Sequence, residues 1–175
     1  MKAPKFKEFI SEAPNASKYK LLVVTDEPED AKTFHTANRL KEEAEKLGWK
    51  YYLYKLTGGY TTSPEGSLRL HNKDDDKGFE VSGMDTIAIV RGSVVRKDSW
   101  MDIVSLLEKH SVCVVNSRQT INVCADKYRT SLRLADYGIK QPVTHLINDP
   151  ENSEQTFENL NTQYPIILKT LRGSK

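Results

Sequence analysis

The sequence predicts an α/β protein: an open, mostly parallel sheet with helices on both faces, followed by the first portion of a smaller α+β unit. Three observations carry this. The runs KLLVVT (20–25) and DTIAIVRG (85–92) are continuously apolar at their centres, as strands covered on both faces are. The stretches that follow them place apolar residues at helical spacing. Strand, helix and strand then recur twice in that order, the rhythm of parallel βαβ units with right-handed crossovers.

Taken in order, residues 1–19 are polar and aperiodic and are expected to form an N-terminal arm. The strand 20–25 ends at the turn formers Asp26, Glu27 and Pro28. From Asp30 to Leu47, Ala31, Phe34, Leu40, Ala44 and Leu47 share one side of a helix, and Gly48 supplies its stop. WKYYLYKL (49–56) is the next strand. Residues 57–85 break the rhythm: the turn-rich TGGYTTSPEG and the charged NKDDDKG interleave with SLRLH and FEVS, which predicts a loop and then a hairpin. After 85–92, Asp98 is expected to cap a helix whose stripe is Trp100, Ile103, Val104 and Leu107, and VCVVN (112–116) closes the unit.

Beyond Asn116 the spacing predicts two short helical stretches, the second capped by Asp126 and ended by Gly138. IKQPVTHLI (139–147) reads as a strand, Ser153 as the cap of a helix through Leu160 with Phe157 and Leu160 on its apolar side, and YPIILKTL (164–171) as a further strand. The expected division is thus an arm at 1–19, an α/β domain at 20–117 and the beginning of a second domain at 118–175.

Composition narrows the function classes. Of 175 residues, 38% are hydrophobic and 29% charged, a balance that supports a packed core and argues against disorder. Lys plus Arg number 26 against 24 for Asp plus Glu, with the signs interspersed, so no basic field suited to nucleic acid is present. No run approaches the roughly 18 apolar residues of a membrane span, and the first residues lack a signal-like apolar region, so a cytoplasmic protein is expected. Cys113 and Cys124 are too few for a disulfide framework and are expected to be buried thiols. The four histidines lack the spacing of a metal site, and no metal ligand is assigned.

The chemistry-bearing pair is Lys127, in the first turn of a predicted helix, and Lys169, near the end of the strand PIILK. An ammonium on a buried strand is costly unless it reaches water or an anion. Gly173 and Ser174 follow, and a loop of this kind can bring backbone N–H groups close to a phosphate. The competing reading is plain: lysines extend from strand ends into water, and Gly-Ser is a common turn. The ending GSK lacks the preceding glycine and the order of a P-loop, and the turn TDEPED after the first strand is not the glycine-rich turn of a dinucleotide site.

Three segments, NSRQTINVCADK (116–127), RLADYGIKQPVTHLI (133–147) and PIILKTLRGS (165–174), together resemble the ATP-grasp ligases, within them the glutathione synthetase-like group that includes the ribosomal-protein glutamate ligase. An asparagine ends a strand before a helix, an Asp-Lys pair opens the next helix, and a Gly-Ile-x-x-Pro segment leads to a strand. A Pro-(hydrophobic)3-Lys strand then runs into glycine. The two lysines stand 42 positions apart, 169 minus 127, similar to the family's separation.

The resemblance implies that 20–117 form the pre-ATP-grasp domain and 118–175 the beginning of the ATP-grasp domain. It implies that Lys127 and Lys169 contact the phosphates and adenine edge of ATP, that Gly173 and Ser174 open the loop that closes over the phosphates, and that Arg91 lies near a carboxylate substrate. The activity implied is phosphorylation of a carboxylate by ATP and attack of an amine, from an amino acid or a peptide, on the acyl phosphate. Mg2+ is implied too, held by residues outside this chain, so the chain by itself is expected to be inactive and the parent polypeptide to continue with more glycines. No catalytic residue is assigned, neither nucleic acid nor membrane is an expected partner, and a homo-oligomer is allowed for. The alternative from another class is a non-catalytic α/β module that keeps the ligase scaffold as an assembly surface.

Overall fold

A computed structural model of the chain describes residues 18–27, 34–63, 66–159 and 165–172. The chain divides into two compact units, Met1–Arg118 and Gln119–Lys175. Most of the expected arm, the first residues of the first helix, Leu160, Tyr164, Gly173 and Ser174 lie outside the described residues.

In the first unit, β1 (Lys20–Thr25), β2 (Lys50–Lys55), β6 (Thr86–Arg91) and β7 (Cys113–Val115) form a four-stranded sheet in the order β2-β1-β6-β7. All three pairings are parallel. The central strand β1 is buried from Leu21 to Thr25, which is why its sequence is apolar without alternation. Helix α1 (His35–Lys46) connects β1 to β2, and α2 (Asp98–Lys109) connects β6 to β7. These two connections run in opposite directions along the sheet, so right-handed crossovers put the helices on opposite faces. On the α1 face, Leu21 and Val23 pack with Phe34, Ala37 and Ala44. Leu22 and Val24, each fully buried, point the other way, toward the side covered by α2 with its buried Met101, Val104 and Leu107.

Both helices end in the same hydrogen-bonded motif. Gly48 (φ +70°) donates to Glu45 at 3.0 Å and Trp49 to Ala44 at 2.9 Å, closing α1 in the left-handed turn that glycine favours. At α2, Ser111 (φ +60°) takes that position, donating to Glu108 at 2.9 Å while Val112 donates to Leu107 at 3.0 Å. Asp98 is the first helical residue of α2, and the cap position belongs to Lys97, which makes no side-chain capping bond. The carboxylate expected to cap instead sits in the first turn, where it complements the helix dipole. Met101, absent from the expected stripe, is buried, whereas Trp100 and Ile103 are half-buried.

The expected hairpin is a three-stranded antiparallel sheet, β3 (Tyr60–Thr62), β4 (Leu68–His71) and β5 (Phe79–Val81), in that order. Its charged turn is fixed both from β2 and from within. Asp75 accepts from the Tyr52 hydroxyl at 2.7 Å and from the Gly78 N–H at 3.0 Å. The buried His71 meets the Asp75 carbonyl through Nδ1 and the Thr62 hydroxyl through Nε2, each at 3.0 Å, and stacks on Tyr60.

The second unit carries α3 (whose first residue, Arg118, closes the first unit; Arg118–Cys124), α4 (Lys127–Asp136) and α5 (Ser153–Asn159). The strands expected at 139–147 and 164–171 are not formed among the described residues: 139–147 and 165–170 carry no regular secondary structure and no ladder partners. Apolar periodicity supplies a face, but a strand also needs a neighbour for its N–H and C=O groups. Val143, Ile167 and Leu168 are accordingly more than 70% exposed. Ser153 does not act as the expected cap; Asp149 does, accepting from the Glu151 N–H at 3.0 Å ahead of a short 3-10 turn that leads into α5. Cys113 and Cys124 are exposed, not buried, because one lies on the edge strand β7 and the other at the end of a seven-residue helix without buried positions.

Candidate functional site

The residues singled out by sequence fall in two places, one in each unit. In the second unit, Asp126 begins α4 as expected: its buried carboxylate accepts from the N–H groups of Tyr128 at 3.0 Å and Arg129 at 2.9 Å. Gly138 (φ +66°) ends the helix, with Gly138 donating to Ala135 at 2.8 Å and Ile139 to Leu134 at 3.0 Å. The segment that follows is tied back, since the Ser131 hydroxyl donates to Gln141 Oε1 at 2.9 Å and the Gln141 amide donates to the Ser131 carbonyl.

This frame fixes Lys127 at the N-terminus of α4. Its backbone N–H donates to the Leu171 carbonyl at 3.0 Å and its ammonium to the Thr170 carbonyl at 2.9 Å. The helix start and the chain on either side of Thr170 are thereby joined, and Lys169 is the next residue. Lys169 is exposed in a segment without regular secondary structure rather than on a buried strand, so the cost of burying its charge, part of the case for an anion, does not arise. What remains is its position: an exposed ammonium with no partner among the described residues, adjacent to a carbonyl that binds Lys127.

In the first unit, Arg91 is the last residue of β6 and lies in register with Thr25 of β1, which pairs in turn with Lys55 of β2. The neighbouring strands β1 and β6 are those from which the connections diverge, and in open α/β sheets the crevice at the carboxyl ends of such strands is where ligands bind. The turn after Arg91 is fastened there. Asp26 Oδ1 accepts from the Ser93 N–H at 2.8 Å, and the Glu27 N–H donates to Thr25 Oγ1 at 3.1 Å. Gly92 stands between them at φ +83°, and a β-carbon there would collide with the Asp26 carboxylate. The Arg91 side chain is exposed and has no partner among the described residues. Asp26 escaped sequence reasoning because its partner is 67 residues away; the only local signal was an acidic residue directly after a buried strand.

Among the described residues there is no group of three or more His, Cys, Asp or Glu side chains that could hold a metal ion. No helix among them is long and apolar enough to cross a membrane.

Residues 124–175 match the RimK-like ATP-grasp domain family. The chain is 34% identical over 71 residues, 41% of its length and 25% of the relative's, to the coenzyme gamma-F420-2:alpha-L-glutamate ligase of Methanococcus maripaludis. It is 28% identical to the protein of that name from Methanocaldococcus jannaschii, over 74% of this chain and 42% of that one. It is also 30% identical over 92 residues to the N-acetylaspartylglutamate synthase A of Mus musculus, covering 51% of this chain and 24% of that one. The matched stretch thus spans between about a quarter and two fifths of these relatives.

Proposed function

We propose, from the premise that residues 124–175 fall within a RimK-like ATP-grasp domain, that this chain is the N-terminal portion of an ATP-dependent carboxylate–amine ligase working through an acyl phosphate. The observation that carries the proposal is the junction of Lys127 with Thr170 and Leu171, which sets the α4 lysine beside the segment bearing Lys169. In the proposed reaction a substrate carboxylate oxygen attacks the γ-phosphorus of ATP, ADP leaves, and an amine nitrogen then attacks the acyl carbon. An amide forms, inorganic phosphate departs, and the amine loses a proton.

Lys127 and Lys169 are assigned to the phosphates and adenine edge of ATP. At an effective dielectric near 20 an ammonium about 4 Å from a phosphate charge is attracted by roughly 4 kcal/mol before desolvation is subtracted. Gly173 and Ser174 are assigned, on sequence grounds, to the loop over the phosphates, where backbone N–H groups make an anion nest. Mg2+, when bound, would neutralise charge on the phosphates. Arg91 is assigned to the substrate carboxylate, supported by its exposed guanidinium, without a partner among the described residues, at the carboxyl end of a central strand. Glutamate recurs in the names of the three relatives, and an α-amino acid such as glutamate is proposed as the amine.

A second reading, a non-catalytic scaffold, draws on the same junction, since the Lys127–Thr170 bond is also sufficient as a purely structural tie. The two separate in the full-length protein given ATP, Mg2+, a panel of carboxylates and hydroxylamine. Formation of a hydroxamate with release of ADP supports the ligase; absence of ADP release across the panel supports the scaffold.

A further inference from the structure

The carboxyl rim of the parallel sheet holds more than Arg91. A recess of about 170 Å3, open to solvent, lies between the end of β2 with the turn after it and the start of α2; its walls are Tyr54, Leu56, Tyr60, Thr61, Ser99 and Trp100. Its place follows from the topology. Tyr54 is the penultimate residue of β2, and α2 starts seven residues after Arg91 ends β6, so both walls stand at the carboxyl ends of their strands. Lys55, Thr25 and Arg91 are in register across three adjacent strands, which puts the recess two strand spacings, roughly 10 Å, along the rim from Arg91.

The walls are built to stay. Tyr54 is 1% and Leu56 5% exposed, fixing an apolar floor. Gly59 keeps the floor close, because a β-carbon there would collide with the Lys55 carbonyl and the Tyr54 ring. Tyr60 is held from behind by its stack on the buried His71, 4.6 Å between ring centroids at 4°. Tyr60 as a residue is nevertheless 47% exposed in an otherwise packed corner. Trp100 forms the opposite wall, with the Lys97 ammonium 4.7 Å from its ring centre. Two hydroxyls, Ser99 and Thr61, supply the polar groups.

We infer that this recess is a subsite for one flat aromatic ring belonging to the carboxylate that the rim binds. The volume suits one ring, since cavities of roughly 150 Å3 accept a benzene-sized guest. Its lining is shared between aromatic side chains and polar groups, so a ring can pack on Tyr60 and Trp100 while polar atoms meet its edge. The inference rests on the assignment of Arg91 to a carboxylate; it adds the class of molecule, an aromatic acid.

The test uses the 175-residue chain carrying Trp49→Phe, which leaves Trp100 as the sole tryptophan. Phenylacetate, benzyl alcohol and acetate are titrated while Trp100 emission is followed. Phenylacetate and benzyl alcohol are expected to give saturable changes and acetate none. Ser99→Leu, an exposed position whose new side chain blocks the recess, is expected to weaken both at least tenfold. Arg91→Ala is expected to weaken phenylacetate several-fold and leave benzyl alcohol unchanged. Failure of either aromatic probe to saturate, or indifference to Ser99→Leu, overturns the subsite. A recess that binds both probes with no effect of Arg91→Ala upholds the subsite and removes the carboxylate assignment. Should Trp49→Phe not fold, the amide resonances of Gly59 and Thr61 in the unaltered chain report the same titrations by NMR, and their failure to shift is equally contradictory.

Discussion

The ammonium of Lys127 donates to the carbonyl of Thr170 at 2.9 Å, and this bond, with the Lys127 N–H to Leu171 at 3.0 Å, joins the start of α4 to a segment 43 residues on. The helix start that permits it depends on Asp126. Replacing Asp126 with Ala removes a buried carboxylate that satisfies two backbone donors, and is expected to cost about 1–2 kcal/mol. Asp126→Ser, which can still cap, is expected to recover most of it. Amide exchange at Tyr128 and Arg129 is the measurement: both should exchange faster in the alanine variant and near the original rate in the serine variant.

Gly92 is the corresponding point in the first unit. At φ +83° an alanine is strained by about 1–2 kcal/mol, and its β-carbon would also displace the Asp26 carboxylate from the Ser93 N–H. Gly92→Ala is expected to lower the denaturation midpoint. The double variant Gly92→Ala, Asp26→Ala is expected to lose less than the sum of the two single variants, because each removes the same hydrogen bond. Additive losses in urea unfolding would contradict the clamp.

Ser111 invites the opposite change. It occupies the left-handed position that ends α2 without being glycine, and Ser111→Gly is expected to stabilise the chain by about 0.5–1 kcal/mol. A fall in thermal midpoint would contradict this.

Burial holds the phenols of Tyr51 and Tyr54 up at about 12, against an ordinary value of 10.0; burial and the bond to Asp75 raise that of Tyr52 as well. These groups favour the neutral form in the folded protein, so their contribution to stability is complete below pH 10 and is lost as pH rises from 10 through 12. Absorbance titration of the eight tyrosines should show Tyr51 and Tyr54 ionising late, near pH 12, and joining the rest on unfolding. Asp75 moves oppositely, its carboxyl held below 3.8 chiefly by the Tyr52 hydroxyl. Its contribution is present above that value and disappears as pH falls below it, and Asp75→Asn should remove that part of the acid dependence.

What could be read from sequence was whatever is written locally. The apolar runs of β1 and β6, the glycine stops at Gly48 and Gly138 and the Asp126 cap each depend on residues within one turn or one strand and took the expected form, whereas the stripe of α1 held only in part: Phe34 and Ala44 are buried, Ala37 joins them, and Leu47 at the helix end is 45% exposed. The failures depended on partners. Residues 139–147 and 165–170 have the apolar content of strands, yet no ladder partner among the described residues. Asp98 lost its expected role to a one-residue shift of the helix start. Asp26, and the recess between Tyr54 and Trp100, exist only once the sheet brings distant segments together.

The central claim is that Lys127 and Lys169 serve one bound nucleotide, and calorimetry tests it most directly. ATP is titrated into the full-length protein and into its Lys127→Ala and Lys169→Ala variants, with folding checked by circular dichroism. Each substitution removes a charge-assisted contact worth about 1.5–3 kcal/mol, so each is expected to weaken ATP about tenfold or more. ATP affinity unchanged in both variants would contradict the account.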